Sequence, residues 1–247
     1  MRTLLSIAGL ELLLLALPLA GQTQAPQAPP KICAGNIGAG LSLTGGNTDT
    51  TNFNLSGELT RDPKKKNVIK LNGLYLRSSA NNIKTADRLS LQLRDEYSFS
   101  KRAFAYGALP YLRDPFKEIG YLLNPQGGLG YKPILTDRVE LAVAGGAGGV
   151  WEKNPYVNVK TSGTVNASES FTVKISGTAR FTQGFTALWK TSDFEDALYH
   201  FNIGLVTSLT KQTEIKIEFM DDYKNVTPNP AIKKNDTAFI FSVLYKI

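Results

Sequence analysis

The chain has 247 residues, of which 42% are hydrophobic and 20% charged, so it has the composition of an ordered chain and not of a disordered one. Its formal net charge of +7 admits an anionic partner such as nucleic acid or lipopolysaccharide. However, no stripe of lysine or arginine interleaved with aromatic residues occurs, and the one basic run, Lys64 to Lys66, follows Asp62-Pro63 as a solvated turn. We therefore expect no nucleic-acid partner.

The N-terminus has the layout of a secretory signal peptide. An apolar run from about Leu4 to Leu19 follows Arg2 and precedes small residues. Glu11 and Pro18 interrupt the run, so it would make a poor span of a bilayer core that is roughly 30 Å thick. We predict a signal peptide over residues 1–25, a spacer rich in Pro, Gln and Ala over residues 26–34, and one folded domain over residues 35–247.

The chain contains one cysteine and one histidine, Cys33 and His200. An intramolecular disulfide is therefore impossible, and a zinc site with the usual Cys and His spacing cannot be built. Acylation of Cys33, as in a lipoprotein, is an alternative, but this residue lies well past the apolar run. We expect it to be a small residue at the start of a strand, and we expect no metal and no cofactor.

From residue 35 onwards the chain alternates apolar and polar residues with a period of two. In LSLTGGNTDTTNFNLSGELTR, residues 41–61, this alternation flanks a cluster of Gly, Asn, Asp and Thr, which indicates strand, loop and strand. No convincing helical period is present. The sequence predicts about twelve strands, near residues 35–44, 51–61, 67–78, 86–99, 103–112, 121–134, 138–151, 165–175, 178–190, 196–209, 213–224 and 236–247.

Strand length and connection length indicate a membrane barrel. A strand that spans a membrane needs roughly 9–11 residues, which these segments reach or exceed. Connections after the even-numbered segments are short, such as SKRA and ISGT, whereas those after the odd-numbered segments are mostly longer, such as EKNPYVNVKTSGTV. An even strand number, with short turns at one end and long loops at the other, is typical of outer-membrane β-barrels.

Each predicted strand has one apolar and one polar face, as in DRLSLQLRDEYSF, where Leu91 and Arg94 lie on opposite faces. In a soluble barrel the apolar face fills the core, but in a membrane barrel it meets lipid and the lumen is polar. The signal peptide, the loop lengths and the aromatic residues near segment ends favour lipid, which requires a closed barrel. This parity predicts a lumenal ladder of charged or titratable residues: Lys70, Arg88, Arg94, Glu96, Lys174, Arg180, His200, Glu214, Lys216, Glu218 and Lys246.

Three segments carry a resemblance to a known family. GLSLTGGNTDTTNFNLSGELTRD, RLSLQLRDEYSFSKRAFAYGALPYLRD and a late Lys-Asn-Asp-Thr before a strand ending in VLYKI resemble the YdiY-like bacterial family named for salt-induced outer-membrane proteins, a domain of unknown function. The resemblance runs from about Gly35 to Ile247. It implies a location and a fold but no reaction. Such proteins tend to end in an aromatic residue, whereas this chain ends in Ile247, two residues after Tyr245.

We therefore expect an integral outer-membrane β-barrel without catalysis, either a narrow passive pore or a structural envelope protein, with a link to salt or osmotic stress. Its expected partners are outer-membrane lipid, lipopolysaccharide and, during insertion, the barrel-assembly machinery. One alternative is an outer-membrane lipid hydrolase that uses His200. The lipid A deacylase pattern of a His two residues before a Ser is absent, because position 202 is Asn. A soluble periplasmic barrel that binds a ligand is the other alternative.

Overall fold

The computed structural model describes residues 32–45, 50–63, 65–80, 83–227 and 229–247. The predicted signal peptide and most of the predicted spacer lie outside these residues and remain predictions. The first strand begins at Cys33, whose side chain is exposed and whose thiol is free. Within the described residues, no helix is long and apolar enough to cross a membrane.

Thirteen strand segments form one sheet. They are β1 (Cys33–Gly45), β2 (Thr50–Arg61), β3 (Asn67–Ala80), β4 (Ile83–Ser98), β5 (Ala103–Asp114), β6 (Ile119–Leu123), β7 (Gln126–Leu135), β8 (Val139–Lys153), β9 (Lys160–Lys174), β10 (Ala179–Lys190), β11 (Asp193–Ser208), β12 (Thr213–Lys224) and β13 (Asn235–Lys246).

The sheet closes into a barrel. Consecutive strands pair in antiparallel fashion, and β1 also pairs with β13, with Ile37 opposite Tyr245. The short β6 and the following β7 both lie between β5 and β8, so together they form one interrupted strand. The molecule is therefore a closed antiparallel barrel of twelve strands, which confirms the predicted fold class. Closure leaves no unpaired sheet edge, as a hydrocarbon environment requires.

The structure divides one predicted strand and lengthens others. The segment predicted over residues 121–134 is interrupted at Asn124-Pro125, because proline has no N–H group to donate to a neighbouring strand. The predicted loop KTSDFED is wrong in extent: β10 continues to Lys190 and β11 begins at Asp193, which leaves a two-residue turn. Polar residues extend these strands beyond the apolar pattern from which the loops were predicted.

Three short turns share one design. In FSKRA, ISGTA and LTKQT, the N–H group of the first residue donates to the carbonyl group of the fifth, as from Phe99 to Ala103 at 2.9 Å. The hydroxyl group of Ser100, Ser176 or Thr210 accepts hydrogen bonds from backbone N–H groups two and three residues later. We call the barrel end with these turns the turn end. Residues 115–118, 154–159 and 191–192 connect strands at the opposite end, the loop end.

The outer face of the barrel carries exposed apolar side chains. Leu91 is 41% exposed, and the flanking Leu93 and the distant Phe241 are similarly exposed. Aromatic residues form outward pairs near both ends, such as Tyr97 with Phe99 at the turn end and Trp189 with Tyr199 at the loop end. This orientation is that of a membrane barrel and the reverse of a soluble barrel, whose apolar face fills the interior.

The inner face is less polar than the alternation predicts. Leu76 on β3 packs with Met220 on β12 and with Ile240 on β13, and a second apolar cluster joins Ile119, Leu122 and Val150 at the loop end. The interior is therefore only partly polar. A twelve-stranded barrel is narrow enough for side chains from non-adjacent strands to touch, so part of its lumen is filled by a packed core.

Candidate functional site: the barrel lumen

A buried carboxylate lies inside the barrel at the loop end. Glu152 on β8, whose side chain is 2% exposed, accepts a hydrogen bond from Lys190 Nζ on β10 at 2.6 Å. Lys224 Nζ on β12 contacts the other carboxylate oxygen. Lys190 is also 2.6 Å from the carboxylate of Asp196. Strands β8, β10 and β12 are not neighbours in the sheet, so these ion pairs join separate parts of the barrel wall across the lumen.

A second ion pair crosses the lumen beside the first. Arg88 on β4 contacts the carboxylate of Asp222 on β12, although the two residues are 134 positions apart in the chain. His200 Nδ1 on β11 lies 2.8 Å from the other oxygen of the same carboxylate. Both pairing side chains are mostly buried, at 13% and 16% exposure for Arg88 and Asp222. Asp222 is therefore shared by a permanent cation and an imidazole.

The connection between β5 and β6 folds into the mouth of the barrel at this end. The Asp114 carboxylate accepts hydrogen bonds from the backbone N–H groups of Phe116 and Lys117, at 3.2 and 3.3 Å, and so starts a single 3-10 turn, Pro115–Lys117. This turn directs the Lys117 side chain inward. Lys117 Nζ donates to the carbonyl oxygen of Asp222 at 2.9 Å and lies 3.3 Å from the carboxylate of Asp236.

Between the loop end and the turn end, Arg94 contacts several side chains inside the lumen. Its Nε donates to Glu96 Oε1 at 2.7 Å, and its guanidinium carbon lies 4.0 Å from the centre of the Tyr106 ring, which is a cation–π contact. Lys70 pairs with the other oxygen of Glu96 at 2.9 Å. The Tyr106 hydroxyl group donates to Asn166 Oδ1 on β9 at 2.5 Å, again across non-neighbouring strands.

Glycine makes room for the inward aromatic side chains of β5. A Cβ atom on Gly130 would lie 2.1 Å from the Phe104 ring, and one on Gly146 would lie 2.6 Å from the Tyr106 hydroxyl oxygen. Gly146, in the glycine-rich AVAGGAGGVW of β8, therefore relieves crowding inside the barrel.

The turn end has an ion-pair network of its own. Arg180 donates two hydrogen bonds of 2.9 Å to the two oxygens of Glu214, and Lys246 lies 3.2 Å from the same carboxylate. Nearby, Lys216 pairs with Glu218 at 3.1 Å. Arg180 and Lys246 are each 36% exposed, so water reaches this network more easily than the one around Glu152.

The structure brings the lumenal residues predicted from parity into these networks, with one exception. Lys174 is exposed at the end of β9, opposite Arg180 in register, and no ion pair between described residues includes it. His200 makes a hydrogen bond, and the others take part in ion pairs: Lys70, Arg88, Arg94, Glu96, Arg180, Glu214, Lys216, Glu218 and Lys246.

Sequence reasoning missed several residues of the loop-end network. On β10, Lys190 lies on the same inward face as Arg180, and on β12, Lys224 lies on the same inward face as Glu214. The alternation that predicts Arg180 and Glu214 inside the barrel therefore also predicts Lys190 and Lys224 there. Glu152 lies in a predicted loop, because the predicted strand ends at residue 151, two residues before the end of β8. Lys117 enters the lumen from a 3-10 turn, which strand parity does not describe.

The catalytic potential of His200 is limited by its surroundings. The Asp222 and His200 pair resembles the carboxylate and imidazole of a hydrolase triad, but Arg88 occupies the same carboxylate. The hydrogen bonds between described residues include none from a hydroxyl group to His200. Groups of three or more His, Cys, Asp or Glu residues that could hold a metal ion do not occur in the described part of the chain.

Comparisons with known proteins agree with this architecture. A family model described as "Protein of unknown function, DUF481" matches residues 37–247, which confirms the resemblance to a domain family of unknown function. No significant match was found among curated protein sequences.

Similar solved structures are membrane barrels of very different sequence. The NanC porin has a TM-score of 0.59 and 10% identity, with 85% of this chain and 100% of that chain covered. An outer membrane channel from Pseudomonas putida F1 has a TM-score of 0.54 and 10% identity, covering 89% and 97%. The translocator domain of the autotransporter NalP from Neisseria meningitidis has a TM-score of 0.51 and 11% identity, covering 89% and 90%. At such identities the likeness concerns the fold alone.

Proposed function

The chain belongs to the DUF481 family, and we propose that it is an integral outer-membrane β-barrel without catalytic activity, whose lumen is a narrow passage occluded at the loop end. The observation that carries this proposal is the position of Glu152, buried between the ammonium groups of Lys190 and Lys224. Ion pairs that join three non-neighbouring strands leave little room for a solute between them.

Apolar packing supports the same conclusion. Ile119 is fully buried and packs with Leu122 and Val150 at the level of the Glu152 network. An open aqueous channel would keep such positions polar and solvated. We infer that only water and small ions pass, through gaps around the networks, and that a structural contribution to the envelope accompanies this low permeability.

A link with salt or osmotic stress is part of the proposal. The turn-end pairs of Glu214 with Arg180 and Lys246 are partly exposed, so raised ionic strength weakens them. The pairs of Glu152 are buried and are screened much less. A barrel built in this way loosens at one end in high salt while it stays closed at the other.

The proposed location in the outer membrane follows from the apolar side chains that are exposed on the outer face of the barrel. Side chains such as Leu91 and Phe241 would contact the lipid tails, and the net positive charge of the chain suits contact with lipopolysaccharide. We propose that the loop end is extracellular and both termini are periplasmic, after export by the signal peptide and insertion by the barrel-assembly machinery. A tag near Asn229 is then reachable from outside intact cells, whereas accessibility only after the outer membrane is opened would invert this topology.

A lipid hydrolase is the second candidate, favoured by the 2.8 Å contact between His200 and Asp222. One pair of experiments separates the two functions. In planar bilayers, the purified protein should give a small single-channel conductance, and in detergent with phospholipid it should release no fatty acid. Fatty-acid release that disappears in a His200→Asn variant would establish the hydrolase, and a large, steady conductance would contradict the occluded lumen.

A further inference from the structure

Three cations surround one carboxylate on the outer face of the barrel, near the loop end. The Asp87 carboxylate on β4 lies 3.2 Å from Arg113 Nη1 on β5 and 3.5 Å from Lys84 Nζ on its own strand. Arg77 on β3 lies directly opposite Asp87 in the strand register. We call these four residues the outer basic group, because their positive charges outnumber the single negative charge.

The outer basic group faces away from the lumen. Arg88 and Asp114 line the cavity inside the barrel, and their chain neighbours Asp87 and Arg113 lie on the opposite face of the sheet. The side chains of Arg113 and Lys84 are 41% and 54% exposed, whereas that of Asp87 is 10% exposed. An anion that approaches the barrel wall from outside therefore meets the cations and not the carboxylate.

The two arginines of the group keep hydrogen-bond donors for such an anion. Arg77 is exposed, and no ion pair between described residues includes it. Arg113 contacts Asp87 through one terminal nitrogen of its guanidinium group. A guanidinium group has five N–H donors in a planar fork, whose geometry matches the oxygens of a phosphate group. The group is therefore suited to phosphate.

Apolar side chains continue from this group towards the middle of the barrel wall. Leu89, Leu91 and Leu93 follow Asp87 on the same face of β4, and the last two are 41% and 47% exposed. Tyr111 lies opposite Leu91 in the register. Tyrosine is enriched where the lipid tails of a membrane meet the headgroups. This surface therefore matches a ligand with a phosphorylated headgroup and apolar tails.

The positive charge belongs to this part of the barrel wall. On β12 and β13, the outward positions near the loop end are Asp221, Tyr223 and Thr237. At the opposite end of β4, the exposed cations Lys101 and Arg102 lie in the turn that leads to β5. The outer face near the loop end is therefore not uniformly basic, and the turn offers cations for a matched comparison.

We propose that the outer basic group binds the phosphorylated headgroup of lipopolysaccharide. Arg77 and Arg113 would hold a phosphate group, and the acyl chains would lie along Leu89, Leu91 and Leu93. Lipopolysaccharide carries phosphate groups and several acyl chains in one molecule, and it meets the loop end if that end is extracellular. This inference rests on the proposed orientation of the barrel, and it assigns residues to the proposed contact with lipopolysaccharide.

Native mass spectrometry of the full chain, released from detergent micelles, tests the proposal. The lipids to be titrated are diphosphorylated lipid A, lipid A without phosphate groups, and phosphatidylglycerol. One variant combines Arg77→Gln with Arg113→Gln, and Arg77→Gln alone breaks no ion pair with Asp87. The control combines Lys101→Gln with Arg102→Gln and so removes the same charge at the turn end. Heat-modifiable migration on a gel verifies that each variant is folded.

We expect saturable binding of diphosphorylated lipid A to the wild type and to the control, and about tenfold weaker binding to the double variant, which loses charge-assisted hydrogen bonds. Arg77→Gln alone should give a smaller loss in the same direction. Lipid A without phosphate groups and phosphatidylglycerol should bind more weakly than diphosphorylated lipid A.

Three results would overturn the site. Equal weakening in the control would mean a general attraction to positive charge, and equal binding of phosphate-free lipid A would exclude phosphate recognition. Tighter binding of phosphatidylglycerol, or a dimer that excludes lipid A, would assign the surface to a phospholipid or to a second copy of the chain. The conductance, lipid-hydrolysis and tag measurements decide the proposed function, so that function and this site can fail separately.

Discussion

The two ends of the lumen use the same ion-pair chemistry in different surroundings. At the loop end, the side chains of Glu152, Lys190 and Lys224 are 2%, 6% and 4% exposed. At the turn end, Glu214 is buried to a similar degree, but its partners Arg180 and Lys246 are 36% exposed. Only at the turn end can water solvate a cation that loses its partner. We therefore expect the loop-end pairs to control both the stability of the barrel and the closure of its lumen.

The cause of this difference lies in what covers each network. At the loop end, Leu122 of the apolar cluster lies opposite Glu152 in register, and the Asn154 amide joins Glu152 to the carbonyl group of Glu118 after the 3-10 turn. At the turn end, the fully described connections are short turns such as ISGTA, and the charged partners of Glu214 are partly exposed. A buried ion pair is costly to break because its remaining charge has no water, whereas an exposed pair contributes little.

The largest expected effect is that of Glu152→Gln. The variant leaves Lys224 buried without a carboxylate partner and leaves Lys190 with Asp196 alone. We expect the free energy of unfolding to fall by about 3–5 kcal/mol, measured by urea unfolding from lipid vesicles. A loss of about 1 kcal/mol or less, the range of exposed pairs, would mean that the loop end is as accessible to water as the turn end.

Asp222→Asn should come next, with a loss of about 3 kcal/mol, because it leaves the guanidinium group of Arg88 without its carboxylate. The double variant Arg88→Met with Asp222→Asn removes the unpaired charge as well. It should therefore be more stable than Asp222→Asn alone, in the same urea unfolding measurement. If the double variant lost as much stability as Arg88→Met and Asp222→Asn lose separately and in sum, the two residues would act independently.

Glu214→Gln should have a smaller effect, about 1 kcal/mol, because Arg180 and Lys246 can be solvated where they are. The loss should shrink further as salt is raised, since salt screens exposed pairs. The loss caused by Glu152→Gln should hardly change over the same salt range. Equal salt dependence of the two variants would remove the distinction between the ends.

The smallest effect is expected outside the lumen. Leu91→Ala shortens a side chain that is 41% exposed on the lipid-facing surface, so it leaves no internal cavity. The barrel should insert and unfold almost as the wild type does. A loss above about 3 kcal/mol in urea unfolding from vesicles, within the range of cavity-forming substitutions, would place Leu91 in a core.

The sequence predicted the features that are local to each strand. Alternation predicted that Leu91 and Arg94 lie on opposite faces and located most strand ends to within a few residues, because parity is a local property of an extended chain. The interruption at Pro125 follows from the same local chemistry, although the predicted segment over residues 121–134 runs through it.

Contacts across the lumen could not be predicted in this way. Parity predicts that Arg88 and Asp222 both point inward, but not that they meet, since they lie on strands that share no hydrogen bonds. Nor does parity indicate that Leu76 and Ile240 fill the interior, because the apolar content of an inner face depends on how closely the opposite walls approach. Parity likewise puts Glu169 and Gln183 at positions facing outward, but it does not indicate that the Gln183 amide donates to the Glu169 carboxylate at 2.5 Å.

The most direct test of the closed loop end is single-channel conductance in planar bilayers, compared between Glu152→Gln and Glu214→Gln. Both substitutions remove one negative charge from a lumenal network, and they differ in the end at which they do so. We expect Glu152→Gln to raise the conductance severalfold above the small wild-type value, and Glu214→Gln to leave it almost unchanged. A rise with Glu214→Gln, and none with Glu152→Gln, would contradict closure at the loop end.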